Sequence, residues 1–123
     1  MSTKIKKITV IEDDEILLKA INIELLSSGF EVFSATNGEA GLKLIKSKKP
    51  DLIILDLVMP KMDGFEVLKL LQNNKKLDKI PVIVLSNLSQ KEEVDKAMAL
   101  GANDFFEKAT TNLGNLSDKI KQL

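Results

Sequence analysis

The chain predicts an α/β domain, with five parallel strands in one sheet and helices on both of its faces. Three observations carry the prediction. Strand-like and helix-like segments alternate along all 123 residues. Two of the strand-like segments, Leu52-Ile53-Ile54-Leu55 and Val82-Ile83-Val84-Leu85, are unbroken apolar runs, as central parallel strands covered on both sides should be. The polar residues best suited to chemistry follow the strand-like segments, so they would share one edge of the sheet.

The elements follow in order. Ile5 to Ile11 is a β-branched run and the first strand. From Asp14 to Ser28 the pattern turns helical, with Leu17, Ile21 and Leu25 four apart on one face. Gly29 stands where a helix stops. Phe30 to Ala35 is the second strand, and its alternation of Glu31, Val32, Phe33 and Ser34 marks a partly exposed edge. Asn37 can cap the next helix, which carries Ala40, Leu44 and Ile45 on one side. Pro50 closes the following loop, and Leu52 to Leu55 is the third strand. A helix follows Asp63-Gly64 with Val67, Leu68 and Leu71 inward.

Pro81 introduces the fourth strand. Ser89 can cap a helix holding Val94, Ala97 and Met98, which ends at Gly101. Phe105-Phe106 form a short fifth strand. Leu113, Leu116, Ile120 and Leu123 recur at helical spacing and give a last helix. Right-handed crossovers then place helices on both faces. No repeat, low-complexity stretch or internal linker interrupts the pattern, so residues 1–123 read as one domain.

Composition excludes several functions. Hydrophobic residues make up 44% of the chain, too many for a disordered protein. There is no cysteine, so disulfides and thiolate metal sites are out. There is no histidine, so the chain can build neither a histidine triad nor a phosphohistidine of its own. The 18 cations, all lysine, balance 18 anions. Without net charge or an arginine fork, nothing favours direct binding of nucleic acid. No apolar run approaches the roughly 20 residues of a membrane span, and no apolar signal region opens the chain. A soluble, cytoplasmic protein is the expectation.

The candidate site lies at the strand ends. Glu12-Asp13-Asp14 follow strand one, Asp56 ends strand three, Ser86 ends strand four and Lys108 follows strand five. Asp13, Asp14 and Asp56 are expected close together. Two like charges 4 Å apart repel by about 4 kcal/mol at an effective dielectric of 20, so the cluster calls for a proton or a cation. An all-oxygen site with few protein ligands suits Mg²⁺. Asp56 is the candidate nucleophile, because carboxylates form covalent phosphoryl intermediates. Such transfer depends on positioning and charge neutralisation, which a metal on one side and Lys108 on the other can supply. Each residue also has a plainer reading. Asp13 or Asp14 can merely cap a helix, Ser86 can cap a turn, and Lys108 can be a surface lysine.

With these residues the whole chain resembles the receiver domain of two-component response regulators. The resemblance rests on the pair Asp13-Asp14, the segment Asp56-Leu57-Val58-Met59-Pro60-Lys61-Met62-Asp63-Gly64, and Ser86, Phe105 and Lys108 in order and spacing. It implies a flavodoxin-like sheet in the strand order 2-1-3-4-5. It also implies that Asp56 accepts a phosphoryl group from a phosphohistidine on a histidine kinase or histidine phosphotransfer protein. Asp14 and Asp56 would hold Mg²⁺ through their side chains, Asp13 directly or through a water, and Val58 through its carbonyl. Lys108 would contact the phosphoryl group. Ser86 would swing inward, and Phe105 would rotate into the vacated space. Phe105 is plain core in the simpler reading, and without a phenol hydroxyl any switch there acts by burial. The last helix, strand five and the helix Gln90–Leu100 would form the face that meets an effector or output domain.

Two departures from the family pattern carry expectations. Ala109 stands where the family usually has proline after a cis bond. A cis bond before alanine costs about 2.5–4 kcal/mol, so a trans bond and a looser Lys108 are expected. Val58 and Leu88 are apolar at positions that tune phosphoryl loss, so slow self-dephosphorylation is expected and no turnover on external substrates. Three other readings compete. A receiver-like binding module without the switch is disfavoured by the retained acids, hydroxyl and lysine. A flavodoxin-like electron carrier needs a Ser/Thr/Gly-rich first loop, and this one is acidic. A dehalogenase-like phosphatase needs a second acid two residues after the nucleophile, where Val58 stands.

Overall fold

The structure, a computed structural model, describes residues 5–87 and 90–123. Among these, the strands are β1 (Lys7–Ile11), β2 (Glu31–Ala35), β3 (Leu52–Leu55), β4 (Val82–Ser86) and β5 (Asp104–Glu107). The helices are α1 (Glu15–Ser27), α2 (Gly38–Lys48), α3 (Gly64–Gln72), α4 (Lys91–Ala99) and α5 (Leu113–Lys121). All the strands are parallel, in the order β2-β1-β3-β4-β5. The α/β class and the implied strand order are both as expected. No helix among the described residues is long and apolar enough to cross a membrane.

The sheet separates two cores by simple alternation, since successive side chains in a strand point to opposite faces. Ile8, Val10, Leu52, Ile54, Ile83 and Leu85 pack with Leu18, Ile21 and Leu25 of α1 and with Leu116 and Ile120 of α5. Ile11, Ile53, Leu55, Val82 and Val84 pack on the other face with residues of α2, α3 and α4. β3 and β4 are buried throughout, whereas β2 exposes Glu31 and Ser34, half-buries Val32 and Phe33 and buries only Ala35. The unbroken runs and the edge strand were therefore legible in advance.

Caps follow the expected chemistry in most places. Asn37 accepts from the Ala40 N–H at 2.8 Å and Asp63 from the Glu66 N–H at 2.9 Å. Gly29 and Gly101 follow α1 and α4 with left-handed backbone. The proposed Ser89 cap lies outside the described residues. The residue bounding α4 is Gln90, and among the described residues no side chain caps this helix.

The inward faces of four helices differ from the reading by spacing. In α1 the buried residue of the first turn is Leu18, with Leu17 only partly covered. Two adjacent leucines offered two stripes, and sheet geometry selected one. In α2 the buried face is Gly38, Gly41, Leu42 and Ile45, while Ala40 and Leu44 are half-buried. A Cβ at Gly41 would collide with the Ile11 side chain, so this helix packs through a glycine where no apolar signal exists. In α4 Val94 is half-buried, Met98 is 42% exposed, and Ala97 alone of the described residues of that helix is buried. In α5 Leu113 is half-buried and Leu123, beyond the helix, is exposed. Ser117 takes an inward place and shares a hydrogen bond of 2.6 Å with Ser28.

Candidate functional site

Asp56 follows the last residue of β3 and is 4% exposed. Its N–H donates to the Ile11 carbonyl at 3.0 Å, so the ladder with β1 extends one residue beyond the strand and fixes its backbone. The tight entry of α3 makes room for it. A Cβ at Gly64 would run into the Asp56 carbonyl and come within 2.7 Å of the Leu57 Cα, so only glycine fits there. The Gly64 N–H in turn donates to the Leu57 carbonyl at 2.9 Å. Val58, two residues on, is 56% exposed, and its N–H reaches Asp56 Oδ1 at 3.4 Å.

Lys108 arrives from the far side, just beyond β5. Its N–H donates to the Ser86 carbonyl at 3.1 Å, which ties it to the end of β4. Its Nζ lies 3.0 Å from Asp56 Oδ2 and 2.7 Å from Glu12 Oε1. No cis peptide occurs among the described residues, so the Lys108–Ala109 bond is trans. The looser lysine expected with it does not occur, because two ion pairs hold the ammonium. Burial alone would lower the Lys108 pKa; the hydrogen bonds to Glu12 and Asp56 outweigh it and raise the pKa above its usual value.

The acidic pair is shifted by one residue from the sequence reading. The carboxylates that come together are Glu12, Asp13 and Asp56, with ligand atoms within 4.8 Å of one another. Asp14, expected to hold the metal, caps α1, and its Oδ1 accepts from the Ile16 and Leu17 N–H groups at 3.0 and 3.2 Å. The reason lies in the strand. The Glu12 N–H donates to the Ala35 carbonyl at 3.0 Å, so Glu12 is the last residue that the β1–β2 ladder holds. Asp14 is already in the turn that starts α1.

The sequence reading placed Glu12 at the end of strand one but gave it no role. The available signal was its place directly after Ile11, the same relation that Asp56 has to Leu55. It is 2% exposed, with Oε1 on Lys108 and Oε2 accepting from the Asp14 N–H at 3.0 Å. Burial pushes its pKa up to about 7 against the pull of Lys108, and the nearby Asp56 charge adds to the rise.

Ser86 is fully buried at the end of β4, next to β3 in the sheet. Phe105 pairs with Val84 and is half-buried against the core that contains Ala97. Leu88, expected to tune phosphoryl loss, lies outside the described residues.

A three-carboxylate cluster facing an ammonium, at the point where strand order reverses, defines a class of α/β domain that brings anion and metal chemistry to the carboxyl edge of its sheet. The chain belongs to the response regulator receiver domain family, whose model matches residues 8–121. It is a phosphoryl-accepting signalling domain.

The chain is 40% identical over 105 residues to the alkaline phosphatase synthesis transcriptional regulatory protein PhoP of Bacillus subtilis, covering 84% of this chain and 42% of PhoP. It thus spans about two fifths of the length of that relative. Among solved structures, the receiver domain of the Francisella response regulator 1452 superposes with a TM-score of 0.86 at 28% identity, covering 94% of this chain and 93% of that one. The phosphorylated cyanobacterial phytochrome response regulator RcpA superposes with a TM-score of 0.82 at 30% identity, covering 95% and 89%.

Proposed function

We propose that Asp56 is the phosphoryl acceptor of this domain and that a partner histidine kinase or histidine phosphotransfer protein is its donor. One observation carries the reading: a buried carboxylate at the end of a central strand, with a lysine ammonium at 3.0 Å and two further acids at hand. In the transfer, an Asp56 oxygen forms the P–O bond while the donor's P–N bond breaks, and the imidazole nitrogen leaves with the electron pair. Lys108, 3.0 Å from Asp56 Oδ2, would balance the charge that arrives. β3 and Gly64 hold the nucleophile still, which is what phosphoryl transfer asks of a protein.

The donor set fits magnesium, being all oxygen and only partly enclosed, with Asp13 exposed beside buried Glu12 and Asp56. Asp13 and Asp56 would hold the ion through their carboxylates, Glu12 directly or through a water, and Val58 through its carbonyl. The ion, when bound, neutralises charge on the transferring group. Asp14 is left to its helix.

Ser86 and Phe105 would carry the change outward to the face made by α4, β5 and α5, where an effector or output domain would dock. Hydrolysis of the acyl phosphate would be slow, because Val58 presents only an apolar side chain at the mouth of the site and cannot orient a water. The test is incubation with acetyl phosphate and Mg²⁺ followed by intact-protein mass spectrometry. A gain of one phosphoryl group is expected, lost in Asp56→Asn. A wild-type protein that gains nothing, or an Asp56→Asn protein that still gains one, overturns the assignment.

A further inference from the structure

Helices α3 and α4 are joined by a side-chain contact at their surface. Lys96 of α4 places its Nζ 4.3 Å from the centroid of the Phe65 ring of α3. A cation at this distance over a ring face is attracted by the ring quadrupole. Phe65 is half-buried against the same core as Leu68, Ala97 and Phe105, so its ring is held by packing and offers the lysine a fixed target.

The contact matters because α4 buries little of its own surface. Among its described residues Ala97 is the one buried side chain, and no side chain caps its first turn. Lys96 is adjacent to Ala97. Phe105 packs into the cluster that contains Ala97, so a rearrangement of Phe105 acts on the residue that seats α4 and, one position away, on Lys96. An element with so little else to hold it is biased appreciably by one contact of ordinary strength.

We propose that Lys96 and Phe65 form a latch between α4 and α3 that stabilises the unphosphorylated arrangement of the domain. The proposal rests on the reading of Asp56 as phosphoryl acceptor. A contact made in one arrangement and lost in the other shifts the balance between them by its own strength, and linkage requires that releasing it tighten the binding of whatever favours the second arrangement.

The experiment uses beryllofluoride with Mg²⁺ as a phosphoryl mimic, its affinity read by calorimetry, on wild type, Lys96→Met, Phe65→Leu and the double variant. Methionine keeps the aliphatic stem and removes the charge; leucine keeps apolar bulk and removes the ring. Each single variant is expected to bind about two- to fivefold more tightly, the range that an exposed cation–π contact can supply. The double variant is expected to match the singles, because both substitutions remove one shared contact. Amide exchange in α4 should be faster in the unliganded variants. Single variants that bind as wild type does, bind more weakly, or add in the double would overturn the latch while leaving the acceptor reading intact. Wild type that takes no beryllofluoride would remove the acceptor reading, and the latch with it.

Discussion

Helices α3 and α4 both lead away from the carboxyl edge of the sheet, α3 from the Asp56 side and α4 from the Ser86 side, and each has nine residues. α3 buries Gly64, Val67, Leu68 and Leu71, is capped by the Asp63 side chain and packs backbone to backbone against Asp56. α4 buries Ala97 and, among the described residues, has no side-chain cap. The helix beside Asp56 is locked, and the helix that follows Ser86 is lightly held. Transfer needs a fixed acceptor, whereas signalling needs an element that can be moved for little free energy. The two demands are met by different amounts of apolar burial on either side of one site.

Substitutions can test this contrast, beginning with the largest effect. Leu68→Ala in α3 should cost about 3 kcal/mol of stability, and Met98→Ala in α4 less than about 0.5 kcal/mol; urea unfolding followed by circular dichroism compares them. Equal losses would mean that α4 is packed as firmly as α3. Gly64→Ala should cost about 2 kcal/mol through overpacking. It should also slow phosphorylation by acetyl phosphate, because the added methyl displaces the Asp56 backbone.

The next effect is one of pH and belongs to the locked side. Buried Glu12 keeps its proton up to about 7 in the metal-free fold. A proton and a metal compete for the same carboxylate, so magnesium affinity should fall as pH drops below about 7, by at most about tenfold per unit, and level off above it. Calorimetric titrations at several pH values measure this, and a flat profile would show that Glu12 takes no part. In the same window, from 4.5 to about 7, the metal-free domain should lose stability as pH rises. There the folded state holds a proton that the unfolded chain has released.

The smallest effects concern caps. Asp63→Ala should cost about 1 kcal/mol by removing the bond to Glu66 N–H. Gln90→Asp should stabilise the domain by about 0.5 kcal/mol by placing a capping carboxylate where Gln90 makes no cap bond. If stiffening α4 also weakens beryllofluoride binding, the lightly held helix is part of the switch; unchanged binding would confine the effect to stability.

Much of this was legible beforehand where a residue's role is local. Val67, Leu68 and Leu71 read correctly as the inner face of α3, because Asp63-Gly64 set the phase of a short helix. Asp56 and Lys108 read correctly as neighbours in a site, because strand ends in a parallel sheet must converge. The reading slipped where the decision was not local. Asp13-Asp14 looked like the acidic pair, yet the last hydrogen bond of the β1–β2 ladder falls at Glu12 and hands Asp14 to the helix. Met98 looked like core on spacing, and nothing near it in sequence says that the folded helix leaves it exposed.

Alternation of apolar runs and capped helices, which local sterics and burial impose, was enough to determine five βα units and to bring the acids and the lysine to one edge. Which carboxylate faces the lysine, which leucine turns inward and how firmly each helix is seated were decided only in the folded sheet. Those outcomes depend on register and on contacts between residues distant in the chain, and a single-residue shift in register changes which neighbours a side chain meets.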